Sequence, residues 1–152
     1  MKKTFIAVSA LLVMIVACKK DSQTTSPTTT ETLFQKNNRI ITSSSWKADS
    51  TIILNNGIVV KNQLDSCLRD DVHTFSSNQF YIINKGTIDC FENENKIDSL
   101  KWEQTRAGDS IKFKGIDLPY IINYKLKVTS DTQFEISNKD GFTEEIIIYK
   151  KK

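Results

Sequence analysis

The chain is poor in the residues on which most catalytic chemistry depends. It contains one histidine, His73, with five glycines, two prolines and three cysteines in 152 residues. A single histidine and cysteines far apart in sequence cannot supply the usual four-ligand set of a zinc site. No Gly-x-Ser-x-Gly or other glycine-rich elbow is present, so a hydrolase triad of His73, Asp70 or Asp71 and a nearby serine lacks its raised nucleophile and its oxyanion hole. Asp70-Asp71 is likewise without the further oxygen ligands that a calcium loop sets at fixed spacing, and reads as a loop or turn element. No metal, cofactor or catalytic residue is expected. Charge of one sign is missing too: 21 Lys and Arg face 18 Asp and Glu, and setting aside Lys2 and Lys3 leaves a balance of about +1. The lysines of the domain are spread singly along apparent strand faces, so nucleic acid is not an expected partner.

A long apolar run is also absent. Phe5 to Val16 is apolar apart from Ser9, and is too short for a hydrocarbon core of ~30 Å, which needs roughly 20 such residues. It follows Lys2-Lys3 and ends in Ile15-Val16-Ala17-Cys18, the layout of a secretory signal. Ile-Val-Ala-Cys resembles the lipobox of bacterial lipoproteins. That resemblance implies a signal peptide over 1–17, cleavage before Cys18 and acylation of its thiol. Two or three acyl chains hold a domain on a membrane where one gives only marginal binding. Lys19 stands where many inner-membrane lipoproteins carry an acidic residue, which favours the outer membrane and leaves periplasmic face or cell surface open. Residues 18–31 then form a polar tether, Asp21 to Glu31 being rich in Ser and Thr with one proline and no core side chain. Residues 32–152 suffice for one domain.

With Cys18 assigned to lipid, Cys67 and Cys90 remain in a compartment where disulfides persist, and they are expected to pair. Free buried thiols are the alternative. Leu33, Phe34, Ile40 and Ile41, with Thr32 as a cap, suggest a short helix. After Trp46 the period changes to two. Trp46, Ala48, Ser50, Ile52 and Leu54 alternate with polar residues, and Asn55-Asn56-Gly57 supplies a hairpin turn into Ile58 to Val60. A second hairpin joins Phe75 to Phe80, Leu100 and Trp102 alternate with charged residues, and Ala107-Gly108-Asp109 turns into Ile111 and Phe113. Ile122 to Val128, Phe134 to Ile136 and Glu145 to Tyr149 complete the pattern. Eight or nine short antiparallel strands joined by polar turns predict a sandwich or an up-and-down barrel. Closure is favoured because it removes exposed edges.

In their order these features resemble the lipocalin-like domain lipoproteins of Bacteroidota: Trp46 opening a strand, Cys67-Leu68-Arg69-Asp70-Asp71-Val72-His73-Thr74-Phe75, then Phe80-Tyr81, Cys90 and Trp102. The similarity spans roughly Ile40 to Lys150, and Asn78-Gln79 replaces the usual Asp-Gly turn. It implies an all-β, lipocalin-like barrel of eight or nine strands preceded by a short helix, and a Cys67–Cys90 bridge.

Trp46, Phe75, Phe80, Trp102, Phe113 and Tyr124 form the proposed inward set, with Ser50 and His73 as polar wall residues. Such a set either fills the interior or lines a pocket, since ligand sites are mostly apolar with a few polar groups. The expected function is a non-enzymatic, membrane-anchored domain binding a small hydrophobic ligand. The alternative is a protein-interaction accessory or inhibitor of the cell envelope with a filled barrel.

Overall fold

Thr32 starts the first helix by a reciprocal cap. Its hydroxyl accepts from the Gln35 backbone N–H at 3.2 Å, and the Gln35 side chain accepts from the Thr32 N–H at 2.9 Å. The helix that follows, α1 (Leu33–Thr42), buries Asn37, Ile40 and Ile41, residues three and four apart on one face. It is the first element of a computed structural model that describes residues 30–88, 90, 97–116 and 120–152. The expected signal peptide, Cys18 and nearly all of the tether lie outside the described residues.

Nine strands follow: β1 (Ser45–Asn55), β2 (Ile58–Asn62), β3 (Val72–Phe75), β4 (Phe80–Asn84), β5 (Ile97–Gln104), β6 (Ser110–Lys114), β7 (Ile121–Ser130), β8 (Gln133–Asp140) and β9 (Thr143–Lys151). A one-turn helix, α2 (Ser66–Arg69), lies between β2 and β3. Every pairing is antiparallel, in the order β2-β1-β3-β4-β5-β6-β7-β8-β9, and β1 also pairs with β9 from Trp46 to Asn55. β1 and β3 to β9 thus close an eight-stranded barrel, and β2 is one extra strand on the distal half of β1. The all-β barrel and the short preceding helix agree with the expectation from sequence.

Turn chemistry follows the residues. Asn56 (φ 51°) and Gly57 (φ 79°) both take positive φ between β1 and β2, as a two-residue hairpin loop of the primed type requires. Where Asn78-Gln79 replaces Asp-Gly, Gln79 adopts φ 69° and the Ser76 side chain fastens the loop, donating to the Phe80 carbonyl at 2.8 Å. Gly108 turns β5 into β6 at φ 81°, and a Cβ there would meet the Phe34 backbone nitrogen at 2.6 Å.

One expectation fails on β1. A bulge between Ala48 and Ser50 inserts a residue, so Trp46 and Ala48 face inward but Thr51 and Ile53 continue that face. Ser50 pairs with Ile148, and both point outward. Because the side-chain period is two, one extra residue exchanges the faces of everything beyond it. Ile52 and Leu54, which alternate in sequence with Trp46 and Ala48, therefore lie on the outer wall, and so does Ser50, expected on the inner one.

The interior nearest α1 is packed solid. Trp46, Phe75, Phe134, Ile40, Ile41 and Ile111 are the largest fully buried side chains. Trp46 meets Phe134 edge-on with centroids 4.8 Å apart, and Phe75 meets Trp102 edge-on at 5.4 Å. Trp46 Nε1 donates to the Ile41 carbonyl at 2.8 Å and Asn37 Nδ2 to the Gly108 carbonyl at 2.8 Å, tying α1 down as a lid.

Cys67 and Cys90 are bridged, with their Cα atoms 5.3 Å apart, which fastens α2 to the segment after β4. Leu64, just before α2, enters the core. The bridge spans 23 residues, and a loop of that size restrains the unfolded chain by about 3 kcal/mol. Cys67→Ser is expected to lower the melting temperature under oxidising conditions and to leave it unchanged against wild type in reductant. Equal loss in both conditions would assign Cys67 a packing role instead.

Candidate functional site

The two ends of the barrel differ. At the α1 end, inward-facing residues are sealed, with Trp46 at 0%, Phe134 at 0% and Phe75 at 1% exposure. At the other end the same inward faces continue into half-buried residues: Thr51 and Ile53 of β1, Ile122 and Tyr124 of β7, Asn138 of β8 and Glu145 of β9. Register fixes their direction. Tyr124 pairs with buried Ile111 and Ile122 with buried Phe113, while Glu145 pairs with both Asn138 and Ile53 and lies two and four residues from Ile147 and Tyr149. Among the described residues the result is a cup: a barrel plugged at one end, with half-buried inward faces at the other.

Its floor is polar and aromatic. His73 Nδ1 and the Tyr81 hydroxyl share a hydrogen bond of 2.7 Å, their rings are stacked at 5.8 Å, and Tyr149 lies edge-on to His73 at 5.1 Å. Phe113 packs on Tyr81 at 4.8 Å and on Tyr124 at 5.7 Å. Burial, and then the charge of Lys85, lower the His73 pKa to about 4, so the ring is neutral at pH 7. Burial raises Tyr81 well above its ordinary value and, opposed by a bond from Tyr81, pushes Tyr149 up to about 12. His73 Nε2 is buried and makes no hydrogen bond to a described residue.

One sector of the wall is ionic. Lys85 Nζ lies 4.0 Å from Asp71 Oδ2 and 3.5 Å from Asp98 Oδ2, and the Gly86 N–H donates to Asp71 Oδ1 at 2.9 Å. Asp71 is almost wholly buried and is therefore held by partners, as a buried carboxylate must be. Asp70 turns the other way. Desolvation works to raise its pKa, but the N–H groups of Thr87 and Ile88 and the Thr87 hydroxyl outweigh it and hold the carboxyl below the usual range. The loop role read from sequence for this acidic pair suits Asp70, whereas Asp71 belongs to the cup.

Of the proposed inward set, Trp46, Phe75, Trp102 and Phe113 are core, His73 is part of the floor and Tyr124 is on the wall. Two proposed residues are elsewhere. Ser50 is outside because of the bulge. Phe80 lies on the outer face, directly opposite exposed Lys101, whose Nζ sits 3.9 Å from its ring centroid. Tyr81, the next residue, takes the inward position. Phe80-Tyr81-Ile82-Ile83 is uninterrupted apolar sequence, so its periodicity gave no parity; pairing with Phe75 supplies it. Tyr81, Tyr149 and Glu145 escaped sequence reasoning, although Glu145, Ile147 and Tyr149 at spacing two carry the signal for their shared face.

Large apolar side chains stand exposed around the mouth: Phe142 is 76% exposed, Ile58 69% and Ile121 57%. The tips of the β1–β2 and β8–β9 hairpins are joined there by the Asn56 N–H donating to the Phe142 carbonyl at 2.9 Å. Outer-wall grooves are different in kind. One of about 440 Å³ is lined chiefly by Lys101, Glu103, Lys112 and Lys114, long charged side chains without a buried polar group among them.

His73 makes stability depend on pH. Its folded pKa of about 4 lies below the ~6.5 of an unfolded chain, so the unfolded state takes up the proton first. Its contribution is complete above about pH 6.5 and is lost as pH falls towards 4, on the order of 2 kcal/mol between pH 7 and 4.5. Urea unfolding at those two pH values should show a smaller difference for His73→Gln than for wild type; identical differences would contradict the neutral, buried ring. No protein-family model, curated protein or solved structure matches this chain.

Proposed function

We propose that this protein is a lipid-anchored, non-enzymatic binding domain of the outer membrane that holds a small, largely apolar molecule in the cup of its barrel. The observation that carries this reading is the change in burial along continuous inward faces, from sealed aromatics beside α1 to half-buried Ile53, Ile122 and Tyr124 at the mouth. A domain stabilised by a filled interior alone has no need to leave such residues in contact with water. Concavity, apolar walls and a few converging polar groups are what small-molecule sites share. The anchor rests on the lipobox resemblance at Cys18, and the lipocalin-like assignment on the order of Trp46, Cys67, Phe75, Cys90 and Trp102, which suits a small closed barrel.

The second reading, a protein-interaction accessory or inhibitor of the envelope, is favoured by the exposed apolar rim at Phe142, Ile58, Val59 and Ile121. Surfaces of this kind commonly mark interaction sites. On this reading the core near α1 is the whole function of the interior, and the rim does the binding.

Native mass spectrometry of the full chain, purified gently from its host, separates the two. A co-purifying small molecule is expected. A clean apo mass, together with no response to added hydrophobic probes, would shift the assignment to the interaction reading. For the anchor, Cys18→Ser should abolish labelling by a palmitate analogue in cells, and a variant that still took up label would contradict it.

A further inference from the structure

Among the described residues, the inward-facing charges of the cup do not balance. Asp71 and Asp98 share Lys85, and across the lumen Glu145 adds a third carboxylate with no cation beside it among the described residues. Its neighbours at pairing positions are Ile53 and Asn138, and its charge is felt by Tyr124 and Tyr149 as a further rise in their pKa, after burial. A carboxylate partly withdrawn from water and left unpaired is costly, and a cationic group entering the mouth would relieve that cost.

The floor below Glu145 offers a second, independent feature. The Tyr81 hydroxyl has one proton to give. The 2.7 Å bond between it and His73 Nδ1 can run either way, and in one tautomer Nδ1–H donates to the Tyr81 oxygen. In that tautomer Nε2 carries a lone pair, on a ring 7% exposed and with no hydrogen bond to a described residue. Glu145, His73 Nε2 and the Tyr124 ring then present acceptors and a π-face, a combination suited to an ammonium group and unsuited to a carboxylate.

We propose that the cup takes a small molecule bearing a protonated amine on an apolar or aromatic body, with the ammonium held by Glu145 on the side of the cup that faces the His73 floor and the body seated against Ile53, Ile122 and Tyr124. This inference rests on the reading of the cup as the binding site and adds the charge of its ligand. Lys85 is already engaged by two carboxylates, and among the described residues the cup holds no other cation to attract an acid of the same size.

The test uses three probes of one shape on the full chain: 4-phenylbutylamine, 4-phenylbutanol and 4-phenylbutyrate, titrated at pH 7 by calorimetry. The amine is expected to bind about tenfold or more tightly than the alcohol, and the butyrate most weakly, as loss of one charge-assisted hydrogen bond dictates. Glu145→Gln, which keeps size and shape, should bring amine and alcohol to within about twofold while leaving the alcohol unchanged. Should Glu145→Gln unfold, the wild-type order of the three probes still decides the matter. Saturable binding of alcohol or butyrate at least as tight as that of the amine would overturn the proposed charge and keep the cup. Binding of none of the three would overturn the cup reading itself.

Discussion

Closure of the sheet through β1 is the constraint on which everything else depends. This one strand pairs with β9 from Trp46 to Asn55, with β3 at Ser45 and Trp46, and with β2 from Ile52 to Asn55. Without the β1–β9 ladder there is no interior, only a sheet with one apolar face and two edges open to further pairing. With it, eight strands enclose a space just wide enough for side chains. Trp46, Phe75, Phe134 and Tyr149 fill that space by edge-on and stacked contacts. The bulge at Asp49 lets so long a strand serve three neighbours, because it bends β1 and exchanges its faces midway.

Closure makes a tube, and the helix makes it asymmetric. α1 enters one end, where Ile40 and Ile41 complete the core and Trp46 and Asn37 bond helix to barrel. Gly108 admits the helix so closely that no side chain could occupy its position. No such lid is found at the opposite end among the described residues. There the inward faces carry Thr51, Asn138, Tyr124 and Glu145, side chains that a sealed interior tolerates only when each is bonded. Polar groups at that depth lower stability unless water or a bound molecule satisfies them, and this is the usual trade at sites kept for binding.

The polar floor joins the two halves. Asp71 and Lys85 sit on the ends of β3 and β4 that face the mouth, and His73 and Tyr81 lie between them and the aromatic core. Their arrangement follows from one register, in which Val72 pairs with Asn84 and Phe75 with Tyr81. A slip of one residue would send His73 and Tyr81 outside and bring Phe80 and Thr74 in. The Cys67–Cys90 bridge, just before β3 and after β4, holds the flanks of this hairpin where that register is set.

Legible in the residues alone are the class of the fold, the helix with its Thr32 cap, the hairpin at Asn56-Gly57 and the pairing expected of Cys67 and Cys90. Each is a local or compositional property: strand period, side-chain capping, backbone freedom of two residues, and redox compartment. Which residues share the interior is set by long-range strand pairing. Ser50 and Phe80 were placed inside from sequence, yet a single inserted residue at Asp49 turned the first outward. The pairing of Phe75 with Tyr81 did the same to the second. Alternation specifies two faces and never says which is inner after a bulge, nor within a run such as Phe80 to Ile83. That choice is made by the neighbouring strand, and Glu145, Tyr149 and His73 face one interior because strands distant in sequence closed on each other.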